Sequence, residues 1–549
     1  MRESFSRFWS KLSGRERQVF LGATLLVGVS IIAGTVLFVA QNTIQVPASG
    51  GTIVYGIAGQ PLGINPILAT SETDKTLLRF TFSPLENFSE EIQSNKDATE
   101  WTVRLREGIT WQDGQRISSD DIVFTVQKIQ EAQRRSPLFS SWQGVTAKRV
   151  SEREIRFILP VPYVFFENTL KNLYPLPQHL FGAIPVSNWP LSQYNFKPTG
   201  NGPYILNSSE VGADGFIRSM TLTKNSRYYK KNSPYISKVL IKFFPTREAA
   251  LTALNEGKID VLSDLSPQEF RLIKRPVSEV NFPIENYYAV FMNPGQHPAL
   301  EDRRVREALN TSIDREQITE SVFGEYATPR FLPANTSSSY SPGEIFNTEQ
   351  AEDLLDQAGW LKNPFGQREK LIRGQVIPLS LKLYVPRVPF LEQTATFLKE
   401  AWGGLGINLV VELRDPGDIA SNVLVSRDYQ LLLFGNILSP AEDLYPYWHS
   451  SAALHPGLNL SSYRSPEVDE LLSTTRRTLN ETARDSLLKE INKKIFYDSP
   501  AVFLFSTDFL LATSKHVQGI RPFELWEPTD HLRQIDEWFV KTTRVLNRE

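Results

Sequence analysis

The residue types that could do chemistry in this 549-residue chain are few, and their spacing points away from catalysis. There is no cysteine, which excludes disulfides, thiolate metal sites, a cysteine nucleophile and a lipid-modified N-terminal cysteine. Of the six histidines, His449 and His455 straddle a proline-rich, aromatic loop and read as ordinary loop histidines rather than a metal pair. Neither a G-x-S-x-G nucleophile elbow nor an H-E-x-x-H zinc motif occurs. The acidic pair Asp120–Asp121 falls at a helix start, where capping is favoured over general acid–base work. Gly403-Gly404-Leu405-Gly406 follows a helix and lacks the later glycine of a nucleotide loop, so it reads as a helix stop. A formal net charge of −2 gives no electrostatic case for nucleic acid. What remains is recognition chemistry, carried by aromatic and neutral polar side chains in a chain too long for one core.

The elements that must position those residues begin with an N-terminal apolar run. Val19–Ala40 carries no charge; Arg2, Arg7, Lys11, Arg15 and Arg17 precede it, and the next basic residue is Lys75. As a helix at ~1.5 Å per residue this run spans roughly 33 Å, enough to cross a bilayer. The basic flank, residues 1–18, should stay cytoplasmic and the rest should lie outside. Phe38-Val39-Ala40 matches an Ala-x-Ala cleavage site poorly, so an uncleaved single-pass anchor over 19–40 is expected, with cleavage near Ala40 or Ala48 the alternative. Residues 41–50 read as a tether.

Strands and helices then alternate. Gly51–Ala58 reads as a strand, and Trp101–Arg106 alternates as a half-buried one. After a turn at Asp113-Gly114, Ser118 or Ser119 caps a helix over Asp120–Gln133. Further strands are expected at Lys238–Phe244, Ile259–Leu262, Leu379–Val385, Ile407–Leu413, Tyr429–Phe434 and Ala501–Phe505. Helices are expected at Thr246–Glu256, Asp302–Asn310, Asp314–Ser321, Thr348–Ala358, Pro389–Trp402, Pro466–Thr475 and Asn480–Tyr497. Such alternation predicts mixed α/β lobes with helices covering the sheets.

Several segments resemble the large extracellular solute-binding proteins of peptide and nickel ABC importers, solute-binding protein family 5. The strongest is Trp101–Gln127, WTVRLREGITWQDGQRISSDDIVFTVQ, through Leu105, Arg106, Gly108, Trp111, Asp113, Gly114, Asp120, Asp121, Val123 and Phe124. Thr199–Tyr204 resembles the family's GTGPY turn, with Asn201 the variant residue. Asn225–Tyr229, Ala250–Val261, Asp302–Arg315, Ala351–Trp360 and Asn459–Asp469 resemble further family segments in the family order. Locally, Gly202 reads as a residue in a special dihedral, with Pro203 fixing the next.

The resemblance implies a class II, periplasmic-binding-protein-like α/β fold of two lobes with an extra domain. Lobe one would combine residues 51–85, 200–285 and 500–549; the extra domain would be 86–199, and lobe two 286–499. The ligand would sit between the lobes. The family's peptide binders carry a W-x-x-D-Y-x-x-P segment whose Asp meets the peptide amino group. Here the stretch is Phe434–Pro440, and with Pro440 in register Asn436 stands where that Asp would be. Asn offers only neutral polar contacts; Glu442 or Asp443 are offset candidates for the missing charge. Candidate ligand-binding residues are Asn436, Phe434, Gly435, Tyr287, Tyr288, Phe291, Phe82, Thr73, Asp74, Tyr445 and Trp448. Arg387 and Arg414 read as solvated surface arginines. No catalytic residue, cofactor or metal is expected. The expected partners are an oligopeptide or other small solute, ABC importer permease subunits, and the cytoplasmic membrane through the N-terminal helix. The exported domain is expected to be monomeric. Within the same fold, a glycan or metal-chelate binder, or an envelope-anchored sensor or scaffold, are the alternatives.

Overall fold

Two main sheets organise the computed structural model, which describes residues 9, 13–334, 346–438 and 443–546. The first sheet runs, edge to edge, Val277–Phe282, Phe509–Ser514, Val261–Leu265, Thr52–Ala58, Lys238–Phe244, Ile217–Lys224 and Tyr204–Val211. Its central strand Thr52–Ala58 lies parallel to both neighbours. Parallel pairing requires a crossover, and the helix Arg247–Asn255, capped by Thr246 and stopped before Gly257 at φ 72°, supplies one.

The second sheet has the order Ala327–Pro329, Ala501–Thr507, Asn286–Met292, Leu431–Ile437, Ser380–Pro386 and Asn408–Arg414. Its apolar runs Leu431–Leu433 and Ala501–Phe505 are fully buried because helices cover both faces. On one side pack the helices Arg303–Thr311, Arg315–Val322, Thr348–Gln357 and Pro389–Gly404; on the other pack Pro466–Thr475 and Glu481–Asp498.

A smaller antiparallel sheet, ordered Ser89–Ser94, Glu100–Leu105, Glu154–Ile158 and Thr146–Arg149, shares one continuous core with the first sheet. Trp101, Val103 and Leu105 point into that core while Thr102 and Arg104 do not, the alternation legible in the sequence. Beside it runs the helix Ser119–Ala132. Its start is a capping box in which the Ser118 hydroxyl and the Asp121 carboxylate each accept a backbone N–H. Asp121 is thus spent on the helix start, while the Asp120 carboxylate pairs with Arg149 at 3.2 Å.

The chain passes between the two main sheets at residues 283–285 and again at Asp508, side by side. Val277–Phe282 pairs with Phe509–Ser514 in the first sheet, and Asn286–Met292 pairs with Ala501–Thr507 in the second. Asn286 pins the pair together: its Nδ2 donates to the Thr507 carbonyl at 2.9 Å, and its Oδ1 accepts the Thr507 N–H at 3.0 Å. Asn281 donates to the Asp508 carboxylate at 2.8 Å.

Three expectations need correction. Ala501–Thr507 belongs to the second sheet, not to lobe one, because its unbroken apolar run is buried between both helical layers; the return falls at Asp508. The supposed tether contains a strand, Thr43–Pro47, paired antiparallel with Thr542–Leu546. Gly202 is not at positive φ; a Cβ there would lie 2.5–2.6 Å from the Thr81–Phe82 backbone, so its need is close approach. The N-terminal helix extends over Gly14–Asn42. Its stretch Gly14–Thr35 is long and apolar enough to cross a membrane and fits a signal sequence equally well.

Candidate functional site

The strands Asn286–Met292 and Leu431–Ile437 are direct antiparallel neighbours, so residues opposite one another share a face. Tyr287 faces Asn436, Tyr288 faces Gly435 and Ala289 faces Phe434. On one face Tyr287, Phe291 and Trp448 are buried together, with Phe434 packed at the margin. Asn436 Nδ2 donates to the Tyr287 hydroxyl at 3.0 Å, and the Tyr287 ring meets Phe503 edge-on at 5.1 Å. Burial drives the Tyr287 phenol well above its ordinary range, so it is neutral and accepts from the amide. Phe291 and Trp448, 6.4 Å apart, are interior packing residues.

The opposite face carries Tyr288, stacked on Phe505 at 5.2 Å and met edge-on by Phe390 at 5.2 Å. Burial pushes its phenol up to about 12. Gly435 is required beneath it: a Cβ there would come within 2.5 Å of the ring. Tyr445 has both ring faces covered, by the Arg476 guanidinium at 3.8 Å and the His449 ring at 4.0 Å.

Thr73, Asp74 and Phe82 lie with the first sheet, on or just after the helix Glu72–Thr81. Asp74 Oδ1 accepts the N–H groups of Leu62 and Gly63 at 2.8 and 3.0 Å, fixing the loop after the first strand. Thr73 is buried, and Phe82 ends the helix against Gly200 and Gly202. The structure therefore collects Asn436, Phe434, Gly435, Tyr287, Tyr288, Phe291 and Trp448 on two adjoining strands and the helix packed on them. Thr73, Asp74 and Phe82 stand in the other lobe.

Ser439, Pro440 and Glu442 lie outside the described residues. Asp443 is met by Arg476 through contacts of 2.8–3.1 Å, so its charge is already balanced. Arg387 pairs with Asp415, and Arg414 with Glu412 and Asp418. His449 bonds the Ser451 hydroxyl at 2.8 Å, and among the described residues no group of His, Asp and Glu is arranged to hold a metal. Two polar pairings carried no sequence signal: Arg330 with Glu285 at the crossover, 2.6 Å, and Tyr163 with Asp443 at 3.1 Å. Each joins residues from elements far apart in the chain, which no local pattern records.

Two main sheets, each with its own packed layers, and paired crossovers define a two-lobed α/β protein of the periplasmic-binding-protein fold. Residues 63–454 match "Bacterial extracellular solute-binding proteins, family 5 Middle", and the chain belongs to that family. The oligopeptide-binding protein AppA of Bacillus subtilis (strain 168) is 23% identical over 525 residues, 91% of this chain and 94% of AppA. The structure of that AppA in complex with a nonapeptide matches with a TM-score of 0.71, over 90% of this chain and 100% of AppA. CtaP, an ABC transporter substrate binding protein from Listeria monocytogenes, matches at 24% identity with a TM-score of 0.77, over 90% of this chain and 100% of CtaP. NikZ from Campylobacter jejuni in complex with Ni(L-His) matches at 23% identity with a TM-score of 0.73, over 89% of this chain and 99% of NikZ. The chain is therefore an extracytoplasmic, ABC-importer-type solute-binding protein and not an enzyme.

Proposed function

We propose that this protein captures oligopeptides between its lobes and delivers them to an ABC importer permease, while held to the membrane by its uncleaved N-terminal helix. The observation that carries a capture mechanism is the pair of adjacent crossovers at 283–285 and Asp508 between two separately cored lobes. A hinge of few residues lets each lobe move as a unit and exclude water from a bound solute. The peptide assignment is supported by similarity to AppA along most of the chain. The anchor is supported by the charge asymmetry around Val19–Ala40 and by the helix Gly14–Asn42 running directly into the strand Thr43–Pro47. An anchored binder reaches its permease at a raised local concentration.

A second reading, a non-peptide solute such as a metal chelate or a glycan, is favoured by one feature. Asn436 is neutral and tied to Tyr287, and the nearby Asp443 is neutralised by Arg476, so neither offers a free carboxylate to a peptide ammonium. Calorimetric titration of the full chain in detergent with a pool of short peptides, and separately with Ni(L-His), decides between them. Saturable heat from the peptide pool alone is the expected result; heat from the chelate alone would overturn the peptide assignment.

A further inference from the structure

Besides the crossovers and a bond from Gln268 Nε2 to the Val322 carbonyl at 2.9 Å, the two lobes meet at a compact contact. The segment Tyr163–Phe165 lies between the strand Glu154–Ile158 and the helix Phe166–Lys171. It is held rigidly by its own lobe: the Tyr163 N–H donates to the Ala98 carbonyl at 3.1 Å, and Phe166 packs edge-on against Trp142 at 5.3 Å. From there it reaches the other lobe. The Val164 N–H donates to the Arg476 carbonyl at 2.9 Å, the Tyr163 hydroxyl donates to Asp443 Oδ2 at 3.1 Å, and Arg484 sits 5.7 Å from the Phe165 ring centre.

Arg476 stands at the middle of these contacts. It follows the helix Pro466–Thr475, and its guanidinium grips Asp443 through both carboxylate oxygens. The same guanidinium lies 3.8 Å from the Tyr445 ring centre and 5.2 Å from that of Tyr163. A planar cation can do this where a lysine cannot: it forks onto a carboxylate in its plane while its faces rest on aromatic rings. Asp443 is almost wholly buried, so an ion pair here is screened little by solvent. The Tyr163 phenol, raised by burial and by Asp443, remains a neutral donor.

We infer that Tyr163, Asp443 and Arg476 form an interlobe latch that holds the lobes closed and so governs how long a captured solute is retained. The retention role rests on the solute-capture reading; the latch itself does not. Tyr445 takes part as the platform under Arg476. The latch residues are positioning residues, acting on lobe separation rather than touching the solute.

The test uses the full chain in detergent with no solute added. Because the chain has no cysteine, Lys148→Cys and Lys493→Cys introduce the sole thiols, one on an exposed position of each body. Spin labels there report the interlobe distance by pulsed dipolar spectroscopy. The native background is expected to populate a short distance. Arg476→Gln should deplete that population severalfold in favour of longer distances, and Tyr163→Phe, which removes only the hydroxyl, should deplete it by less. A short-distance population unchanged in both variants would overturn the latch, as would a native chain that never populates it. Failure here leaves solute capture standing, since no solute is involved; Tyr163→Phe, which keeps the ring, guards against a folding defect in Arg476→Gln.

Discussion

Asn436 and Tyr287 form a polar pair inside an apolar layer, and its value lies in mutual satisfaction. Truncation by Asn436→Ala leaves the buried Tyr287 hydroxyl without its amide donor and should cost about 1–3 kcal/mol. The double variant Asn436→Ala/Tyr287→Phe should recover part of that loss; urea unfolding of both variants measures it. His531 supplies a prediction of a different kind. It is buried, with Nε2 2.7 Å from the Tyr55 hydroxyl and Nδ1 2.6 Å from the Pro528 carbonyl. Burial pushes its pKa down to about 4, against the pull of Pro528 and Asp530. Between pH 6.5 and 4 the unfolded chain binds a proton that the folded chain rejects. Stability from this residue is therefore complete above about pH 6.5 and is lost as pH falls toward 4, by about 3 kcal/mol. In urea unfolding across that window, His531→Gln should flatten the slope. Of the residue-scale detail, Ser118 and Asp121 were legible because a capping box is local. The bond from Asn436 to Tyr287 was not, because its partner lies 149 residues away.

Elements were legible where their own sequence sets their boundaries. The helix Pro466–Thr475, opened by Ser465 and Pro466, and the helix after Ser118 need only caps and apolar period. The strands Ser89–Ser94 and Thr146–Arg149 escaped because SEEIQS and TAKR are polar and exist through their neighbours. The Thr199–Tyr204 turn shows a motif whose position was readable and whose cause was not. Gly200 and Gly202 pass so near Thr81 and Phe82 that a Cβ would overlap backbone atoms. Gly202→Ala should therefore cost about 1–3 kcal/mol although φ is not in the left-handed region, read as a fall in melting temperature. The ribbon of Thr43–Pro47 with Thr542–Leu546 makes a further prediction. Ile44 lies directly opposite Val545, so Ile44→Cys with Val545→Cys should form an intramolecular disulfide in an otherwise thiol-free chain. Peptide mapping of non-reduced chain in membranes checks this, and failure to cross-link would mean the ribbon does not form.

At the scale of the whole molecule, two main sheets joined by one pair of crossovers and bridged by the contact around Arg476 suit the proposed capture between lobes. Its family membership makes it a binder of solutes; the solute itself is what the sequence left open, because affinity in such a cleft resides in side chains from both lobes and not in a contiguous motif. The most direct test of peptide capture is mass spectrometry of the small molecules released when the purified full chain is denatured, against a mock purification. Enrichment of short peptides is the expected result. Enrichment of a defined non-peptide solute, with no peptides above the mock, would contradict the central claim.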